Sequence, residues 1–238
     1  TVVSGRPVQR AASFAAKTLA IEGYDIDGVT TEVTMRLADR QGNPVPDGTQ
    51  INFTSEAGVL LPPSCIVSDG ASGCTVVLRS QGTRPANGRV AVLAYVPGEE
   101  DFVDANANNT YDSGETFTDL GNAYRDDNDS RKFDEGEFTM PRAGALACSG
   151  GISGRLDTCD GVWGPVDVRQ KINVIFSRTA ASISLVSAST TTLSLTLQDA
   201  NGNSLATDSD ISVTSPGSNC VGSTAILKNG QATAPMRE

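Results

Sequence analysis

An all-β protein made of antiparallel β-sandwiches is the fold class that this sequence predicts, and three features predict it. Val, Thr, Ser, Gly and Asn, the residues typical of strands and turns, are abundant in the 238-residue chain. Short runs of alternating apolar and polar residues recur along it, whereas the apolar spacing of long helices does not. A long internal repeat indicates that this β structure comes in more than one copy.

The repeat relates TTEVTMRLADRQGNPVPDGTQINFTS, from Thr30, to TTTLSLTLQDANGNSLATDSDISVTS, from Thr190. The two segments align without a gap at an offset of 160 residues, so that Asp39 matches Asp199. The Gly-Asn pair that follows each aspartate is also shared. A match of this length at one fixed offset indicates two copies of one structural module.

Each copy has the pattern strand, turn, strand. Val33, Met35 and Leu37 alternate with polar residues, as a half-buried strand requires, and the alternation resumes at Ile51 and Phe53. The D-x-x-G-N segment between them supplies turn chemistry. Further strands are predicted at CTVVL, RVAVLAYV and VRQKINVIF, which start at residues 74, 89 and 168. Short alternating strands separated by turns predict antiparallel β-sandwiches of immunoglobulin-like architecture.

The phrase LADRQGNPVPDGTQINFTSEAG resembles the bacterial immunoglobulin-like repeats of invasin- and intimin-type surface proteins. In those repeats a strand ending in D-x-x-G-N-P-V leads into V-x-F-x-T and then a D-G-x-x turn. The resemblance covers roughly residues 15–97 and 168–238. The resemblance implies the immunoglobulin-like fold and a bacterial surface protein. Its motifs indicate fold more than function. The large departure from the pattern is an insertion at residues 98–166.

These boundaries divide the chain into three parts. Residues 1–10 are interpreted as the last strand of a preceding module or as a linker. Residues 11–177 form the first immunoglobulin-like domain, interrupted by the insertion, and residues 178–238 form an incomplete second one; we refer to them as the first copy and the second copy. The chain is therefore expected to be a window cut from a longer tandem array, with neighbouring modules of the same protein as its partners.

The insertion contains two copies of one acidic motif. DANANNTYDSGE is the first loop (residues 104–115), and DDNDSRKFDEGE is the second loop (residues 126–137). Oxygen-bearing side chains stand at positions 1, 3, 5, 9 and 12 of both loops, which is the ligand spacing of EF-hand-type calcium loops. Position 7 would add its backbone carbonyl. The predicted ligands of two calcium ions are Asp104, Asn106, Asn108, Thr110, Asp112 and Glu115 in the first loop and Asp126, Asn128, Ser130, Lys132, Asp134 and Glu137 in the second.

Two features depart from an EF-hand. Position 6, normally Gly, is Asn109 in one loop and Arg131 in the other, and no helical periodicity flanks either loop. Position 8 carries the expected apolar side chain, Tyr111 or Phe133. The sequence thus predicts EF-hand-like loops without EF-hand helices, and the alternative interpretation is a bare solvated acidic segment.

The charge of the chain supports a structural role for the metal. Residues 99–137 carry 13 acidic and three basic residues, so they hold the whole net charge of −10. Such self-repulsion opposes ordering of the insertion, and calcium would offset it. The ions are accordingly predicted to act as fixed braces rather than as sensors.

Four of the five cysteines fall into two short brackets, CIVSDGASGC and CSGGISGRLDTC. Two disulfides, Cys65–Cys74 and Cys148–Cys159, are predicted, with Cys220 left unpaired or bonded outside the chain. Neither bracket has zinc-site spacing, and the chain has no His to complete such a site. Disulfides indicate an oxidising, exported setting, so the expected location is extracellular or at the cell surface.

Several function classes are excluded or disfavoured. The absence of His rules out Ser-His-Asp and Cys-His catalysis, and no nucleotide-binding phrase is present. Glu99 and Glu100 would in principle suit a glycosidase, but we interpret them as a solvated strand-to-loop junction. Trp163 would stack on a sugar or pack beneath its own hairpin. No apolar run spans a membrane, and the acidic surface disfavours nucleic acid.

The sequence therefore predicts a non-enzymatic protein. The first candidate is a stalk or fibre module of an exported, adhesin-like protein, rigidified by calcium and disulfides. The alternative is a binding module or filament subunit, whose insertion or exchanged strands contact a glycan, a receptor or another copy of itself.

Overall fold

A computed structural model describes residues 5–142, 144–148, 155–189, 193–213 and 223–226, and this part of the chain is all-β, as predicted. Its one non-β element is a 3₁₀ turn at Gln9–Ala11. The strands are β1 (Ala12–Ala16), β2 (Ala20–Ile21), β3 (Thr30–Leu37), β4 (Gln50–Ser55), β5 (Val59–Leu61), β6 (Ser64–Ile66), β7 (Gly73–Arg79), β8 (Arg89–Glu99), β9 (Ala123–Tyr124), β10 (Thr139–Met140), β11 (Pro165–Phe176), β12 (Ala181–Ala188), β13 (Leu193–Asp199), β14 (Asp210–Val213) and β15 (Ser223–Ile226).

The first copy folds into two facing sheets. One sheet has the strand order β1-β3-β7-β5 and the other the order β2-β11-β8-β4-β6. Every pair in these sheets is antiparallel except the short parallel pairing of β2 with β11. The three strands predicted beyond the first hairpin are confirmed as β7, β8 and β11.

The core lies between the two sheets and follows the predicted alternation. Val33, Met35 and Leu37 on β3 are at most 1% exposed, and Ile51 and Phe53 on β4 face them from the other sheet. Alternate residues of β8 and β11 complete this cluster. Burial of these apolar side chains is the main favourable contribution to folding, at about 25 cal/mol per Å² of apolar surface.

Strand β8 is buried on both of its faces. Every second residue of β8 from Val90 to Val96 joins the core. Leu93, which points to the other face, is only 1% exposed. The insertion covers this outer face, where the Phe138 ring lies 6.1 Å from that of Tyr95. Double-sided burial explains the nearly continuous apolar run of RVAVLAYV.

Both predicted disulfides are confirmed. Cys65–Cys74 joins β6 of one sheet to β7 of the other, with a Cα–Cα distance of 6.2 Å, and it therefore links the two layers of the sandwich. Cys148–Cys159 closes a bracket inside the insertion, with a Cα–Cα distance of 5.1 Å. Cys220 lies outside the described residues.

The turn after β3 recurs in the second copy with the same hydrogen bonds. Asp39 Oδ1 accepts backbone N–H bonds from the residues two and four positions later, at 2.9 and 2.8 Å, and Asp199 Oδ1 does so at 2.9 and 2.8 Å. The second oxygen of each carboxylate accepts an N–H from the chain that enters the copy, Gly5 or Arg178. Both aspartates are 1% exposed. The repeat in sequence is thus also a repeat in local structure.

Strand pairing repeats at the same offset. Gln50 and Ile51 of β4 pair with Ile66 and Cys65 of β6, and Asp210 of β14 pairs with Ile226 of β15. Adding 160 to the numbers of the first pair, 50 and 66, gives those of its counterpart, 210 and 226. The second copy therefore holds the same hairpin in the same register.

The segment before β1 packs against the first copy. Val8 is fully buried, forms a parallel bridge with Glu99 and donates its N–H to Ala38 O at 3.3 Å. Gln9 is also buried and donates its side-chain amide to Arg169 O at 2.7 Å. These contacts lie at the end of the sandwich where the insertion begins.

Candidate metal centres

Each acidic loop is the tip of a short β-hairpin. In the first loop the flanking residues Phe102 and Phe117 form an antiparallel bridge, and in the second Tyr124 pairs with Thr139. The N–H just before each loop donates to the carbonyl just after it, at 2.8 Å in both cases. Strand pairing thus replaces the helices of an EF-hand, in agreement with the lack of helical periodicity.

The first predicted ligand fixes the turn of the first loop. Asp104 Oδ1 accepts the backbone N–H of Asn108 at 3.1 Å, and Oδ2 accepts that of Asn109 at 2.7 Å. The carboxylate therefore points into the loop, where it satisfies two amides that a tight turn leaves without backbone partners.

The last predicted ligand closes the first loop from the other side. Glu115 Oε1 accepts the N–H of Ala105 at 2.8 Å, and Oε2 accepts that of Asp112 at 3.0 Å. Both oxygens of this position-12 carboxylate are thus directed across the loop. A calcium ion requires the same orientation for bidentate coordination.

The second loop repeats this arrangement bond for bond. Asp126 accepts the N–H groups of Ser130 and Arg131 at 2.9 and 3.0 Å. Glu137 accepts those of positions 2 and 9 at 2.8 and 2.9 Å. Two separate stretches of chain therefore adopt one turn conformation, which the shared spacing of their oxygen side chains accounts for.

The backbone of both loops enters the left-handed region at the same three positions, 4, 6 and 11. A non-glycine residue there costs roughly 1–2 kcal/mol. The hydrogen bonds that the carboxylates accept from backbone N–H groups offset this strain. Position 6, where the sequence departs from the EF-hand pattern by lacking Gly, adopts a positive φ in both loops. The residues concerned are Ala107, Asn109, Gly114, Asp129, Arg131 and Gly136.

Polar side chains fill the centre of each loop. Asn106 and Asn108 donate their amides to Asp112 Oδ2 at 2.7 and 2.8 Å in the first loop. In the part of the chain that the structure describes, no group of three or more His, Cys, Asp or Glu side chains is close enough to hold a metal ion. Amide donors stand between the carboxylates instead.

The same positions converge in the second loop. Asp134 Oδ2 accepts from Ser130 Oγ at 2.7 Å and from Asn128 Nδ2 at 2.9 Å, and these bonds lower the pKa of Asp134. Lys132 contributes its carbonyl oxygen, which lies 3.0 Å from Ser130 Oγ. Carboxylate, amide, hydroxyl and carbonyl oxygens form the hard donor set that calcium takes, so the residues present fit the ion.

The remaining predicted ligand, Thr110, is exposed and donates its N–H to Asn108 Oδ1 at 2.8 Å. The loop charges are unequal. The first loop has three acidic and no basic residues, whereas the second has six acidic and two basic ones. Both loops therefore attract a cation.

The second loop is docked on the outer face of the five-stranded sheet. Asp126 is 3% exposed, and its Oδ2 lies 2.8 Å from Lys171 Nζ on β11. Asp129 accepts from the side-chain amide of Asn173, two residues further along the same strand. Arg125, just before the loop, donates to Thr54 Oγ1 at 2.8 Å. No pattern in the sequence specifies these partners; their only signal is the polar face of β11, opposite its core face.

The first loop is held by aromatic packing. The Tyr111 ring stacks on Trp163 with centroids 4.8 Å apart, and Phe102 and Phe117 contact Tyr111 edge-on at 5.5 and 5.9 Å. The guanidinium of Arg40 lies 3.1 Å from the Phe102 centroid. Trp163 therefore packs against the first loop and not simply beneath its own hairpin.

The base of the insertion contains a buried carboxyl group. Glu100 is 3% exposed and accepts the N–H groups of Leu120 and Gly164 at 2.8 and 3.2 Å. Burial raises the pKa of Glu100 to about 7, and the charges of Asp119 and Asp160 act in the same direction. The prediction of a solvated strand-to-loop junction is wrong for this residue, because the insertion folds back over it.

A buried arginine ties the insertion to β11. Arg169 is 1% exposed and donates to the carbonyls of Gly121 and Asp167, each at 2.9 Å. Desolvation lowers the pKa of Arg169 to about 10. Because Leu120, beside Gly121, belongs to the sandwich core, the insertion is part of the packed first copy.

No family model, curated protein or solved structure matches this chain. The resemblance to invasin- and intimin-type repeats therefore stays a prediction. Within the described residues, no helix is long and apolar enough to cross a membrane.

Proposed function

We propose that this chain is a structural stalk or fibre segment of an exported, adhesin-like protein. Its tandem immunoglobulin-like copies transmit rigidity along the chain, and calcium in the two loops braces the insertion. The observation that carries the proposal is the pair of loops with one hydrogen-bond pattern and one calcium-type donor set. An acidic segment that merely stays solvated has no reason to adopt the same strained turn twice.

The repeated local structure supports the tandem arrangement. Asp39 and Asp199 organise identical turns, and each receives an N–H from the segment that enters its copy. A stack of such units needs this kind of fixed entry, because each unit contacts only its neighbours. The two disulfides support an exported location.

The proposed ligands are the oxygen groups at positions 1, 3, 5, 7, 9 and 12 of each loop. Calcium supplies charge neutralisation and a centre on which these oxygens converge. The chain's own residues supply the turn, because Asp104 and Glu115 already hold the backbone of the first loop in position. Metal binding would then add to the folding free energy of the insertion.

Isothermal titration of the metal-stripped chain with calcium tests the proposal. We expect one ion per loop in the parent and one fewer in Glu115→Gln, which removes the bidentate anionic closure of the first loop at constant size. Glu32→Gln, on the exposed face of β3, is the matched control and should bind as the parent does. A stripped parent that takes up no calcium at millimolar concentration contradicts the proposal.

A further inference from the structure

The junction between the two copies is built around one asparagine. Asn203 is 5% exposed, donates its side-chain amide to Asn87 O at 2.6 Å and accepts from Arg89 Nε at 3.1 Å. Next to it, Ser177 Oγ donates to Ser204 O at 2.8 Å. The D-x-x-G-N turn of the second copy is thus bonded to the start of β8 in the first.

Arg89 also faces the insertion. Its Nη1 lies 3.6 Å from Asp129 Oδ2 in the second loop, with side chains 51% and 32% exposed. Asp129 Oδ1 lies 3.6 Å from Lys171 Nζ and accepts from the amide of Asn173. One guanidinium therefore contacts the second copy through Nε and the second loop through Nη1.

The position of Asp129 depends on the predicted metal ligands beside it. It stands at position 4, and the next two residues, Ser130 and Arg131, donate their N–H groups to Asp126. Asp129 itself has a φ of 61°. Any change in how Asp126 is held is therefore passed to the backbone that carries Asp129 to Arg89.

We propose that Arg89 couples the cation state of the second loop to the orientation of the second copy. A filled loop holds Asp129 against Arg89, and Arg89 in turn holds Asn203. An empty loop lacks the ion on which Asp126 and the other ligands converge, so the backbone that carries Asp129 is less firmly fixed and the junction opens more readily. The inference rests on the proposed function in that it takes the second loop to bind calcium.

Coupling of this kind is reciprocal. If the filled loop fixes the junction, then a fixed junction must raise the calcium affinity of the loop by the same factor. The Arg89–Asp129 pair is half exposed, and exposed ion pairs have small coupling energies, so the factor is about two to five. This factor is small enough to demand a matched control.

Calcium titration in a Glu115→Gln background measures the second loop alone. Asn203→Ala removes the partner of Arg89 without touching the loop, and we expect a two- to five-fold lower affinity, by the same reasoning. Thr196→Ala, at an exposed position of β13, is the control and should leave the affinity unchanged. Equal affinities in the two variants overturn the coupling, while calcium uptake itself still supports the proposed function. If the Glu115→Gln variant takes up no calcium at the second loop, the coupling is overturned too. Whether the first loop of the parent takes up calcium then decides the proposed function.

Distances across the junction give a second readout that does not depend on affinity. Spin labels at the exposed residues Thr83, in the first copy, and Ser184, in the second, are introduced in a Cys220→Ser background. The distribution of distances between them reports the spread of orientations of the second copy relative to the first. Calcium should narrow the distance distribution of the parent but not that of Asp129→Asn. A distribution that calcium narrows equally in both proteins contradicts the role of Arg89 and Asp129.

Discussion

Replacing Glu100 by Gln should remove much of the pH dependence of stability at the base of the insertion. Glu100 is buried, and its pKa is raised to about 7, primarily by desolvation. The N–H bonds from Leu120 and Gly164 act against this rise, and Arg169 lies close enough to interact with the carboxylate. The buried site therefore favours the neutral acid.

The size and sign of the effect follow from the pKa values. The shift from 4.5 to about 7 is about 2.5 units, and 1.36 kcal/mol per unit makes it worth about 3 kcal/mol. Between pH 4.5 and about 7, Glu100 binds more protons in the folded chain than in the unfolded chain. Its own contribution to stability is therefore fully present below pH 4.5 and is lost as the pH rises through about 7. Gln stays neutral, so its effect on stability does not change with pH.

Urea unfolding followed by Trp163 fluorescence is the assay. Trp163 is the only Trp, and its Nε1 donates to Glu100 O at 2.9 Å, so its emission reports on this region. Measurements in a chelator keep metal binding out of the comparison. We expect the difference in unfolding free energy between parent and variant to change by up to about 3 kcal/mol between pH 4.5 and 8. A difference that stays constant over this range refutes the reasoning, as does a Glu100 carboxyl that titrates near pH 4.5 by NMR.

Two further predictions concern the links that hold the first copy together. Replacing Cys65 and Cys74 by Ser should lower the free energy of unfolding by roughly 2–3 kcal/mol, because the bridge closes a short loop between the two sheets; an unchanged urea midpoint would show that the link adds nothing. Arg169→Met should cost roughly 2–4 kcal/mol, because it leaves the buried carbonyls of Gly121 and Asp167 without their donor. Thermal unfolding checks the second value, and a Tm within a degree of the parent's would contradict it.

Local patterns in the sequence predicted local structure. The alternation of Val33, Met35 and Leu37 is a property of one strand, and it placed these side chains in the core. The spacing of oxygen side chains from Asp104 to Glu115 is likewise local, so the inward orientation of both carboxylates followed from it. The internal repeat predicted two identical turns, and both turns have the same hydrogen bonds.

Contacts between distant parts of the chain were not predictable in this way. Lys171 meets Asp126 across 45 residues, and no periodicity in either segment specifies that pairing. The burial of Glu100 depends on Leu120 and Gly164 returning to it, so its acidic side chain looked solvated in sequence. Such pairings are set by how the insertion packs on the sheet, which only the folded chain determines.

The insertion leaves the sandwich at Glu99 and returns at Pro165, and these two residues are paired neighbours in the β8–β11 ladder. The inserted segment therefore begins and ends at one point of the sandwich, and the ladder of 11 paired positions continues from there without it. The insertion's length and sequence can therefore vary without moving Glu99 and Pro165 apart. In the proposed stalk segment, this geometry adds a side lobe without adding to the length of the sandwich module.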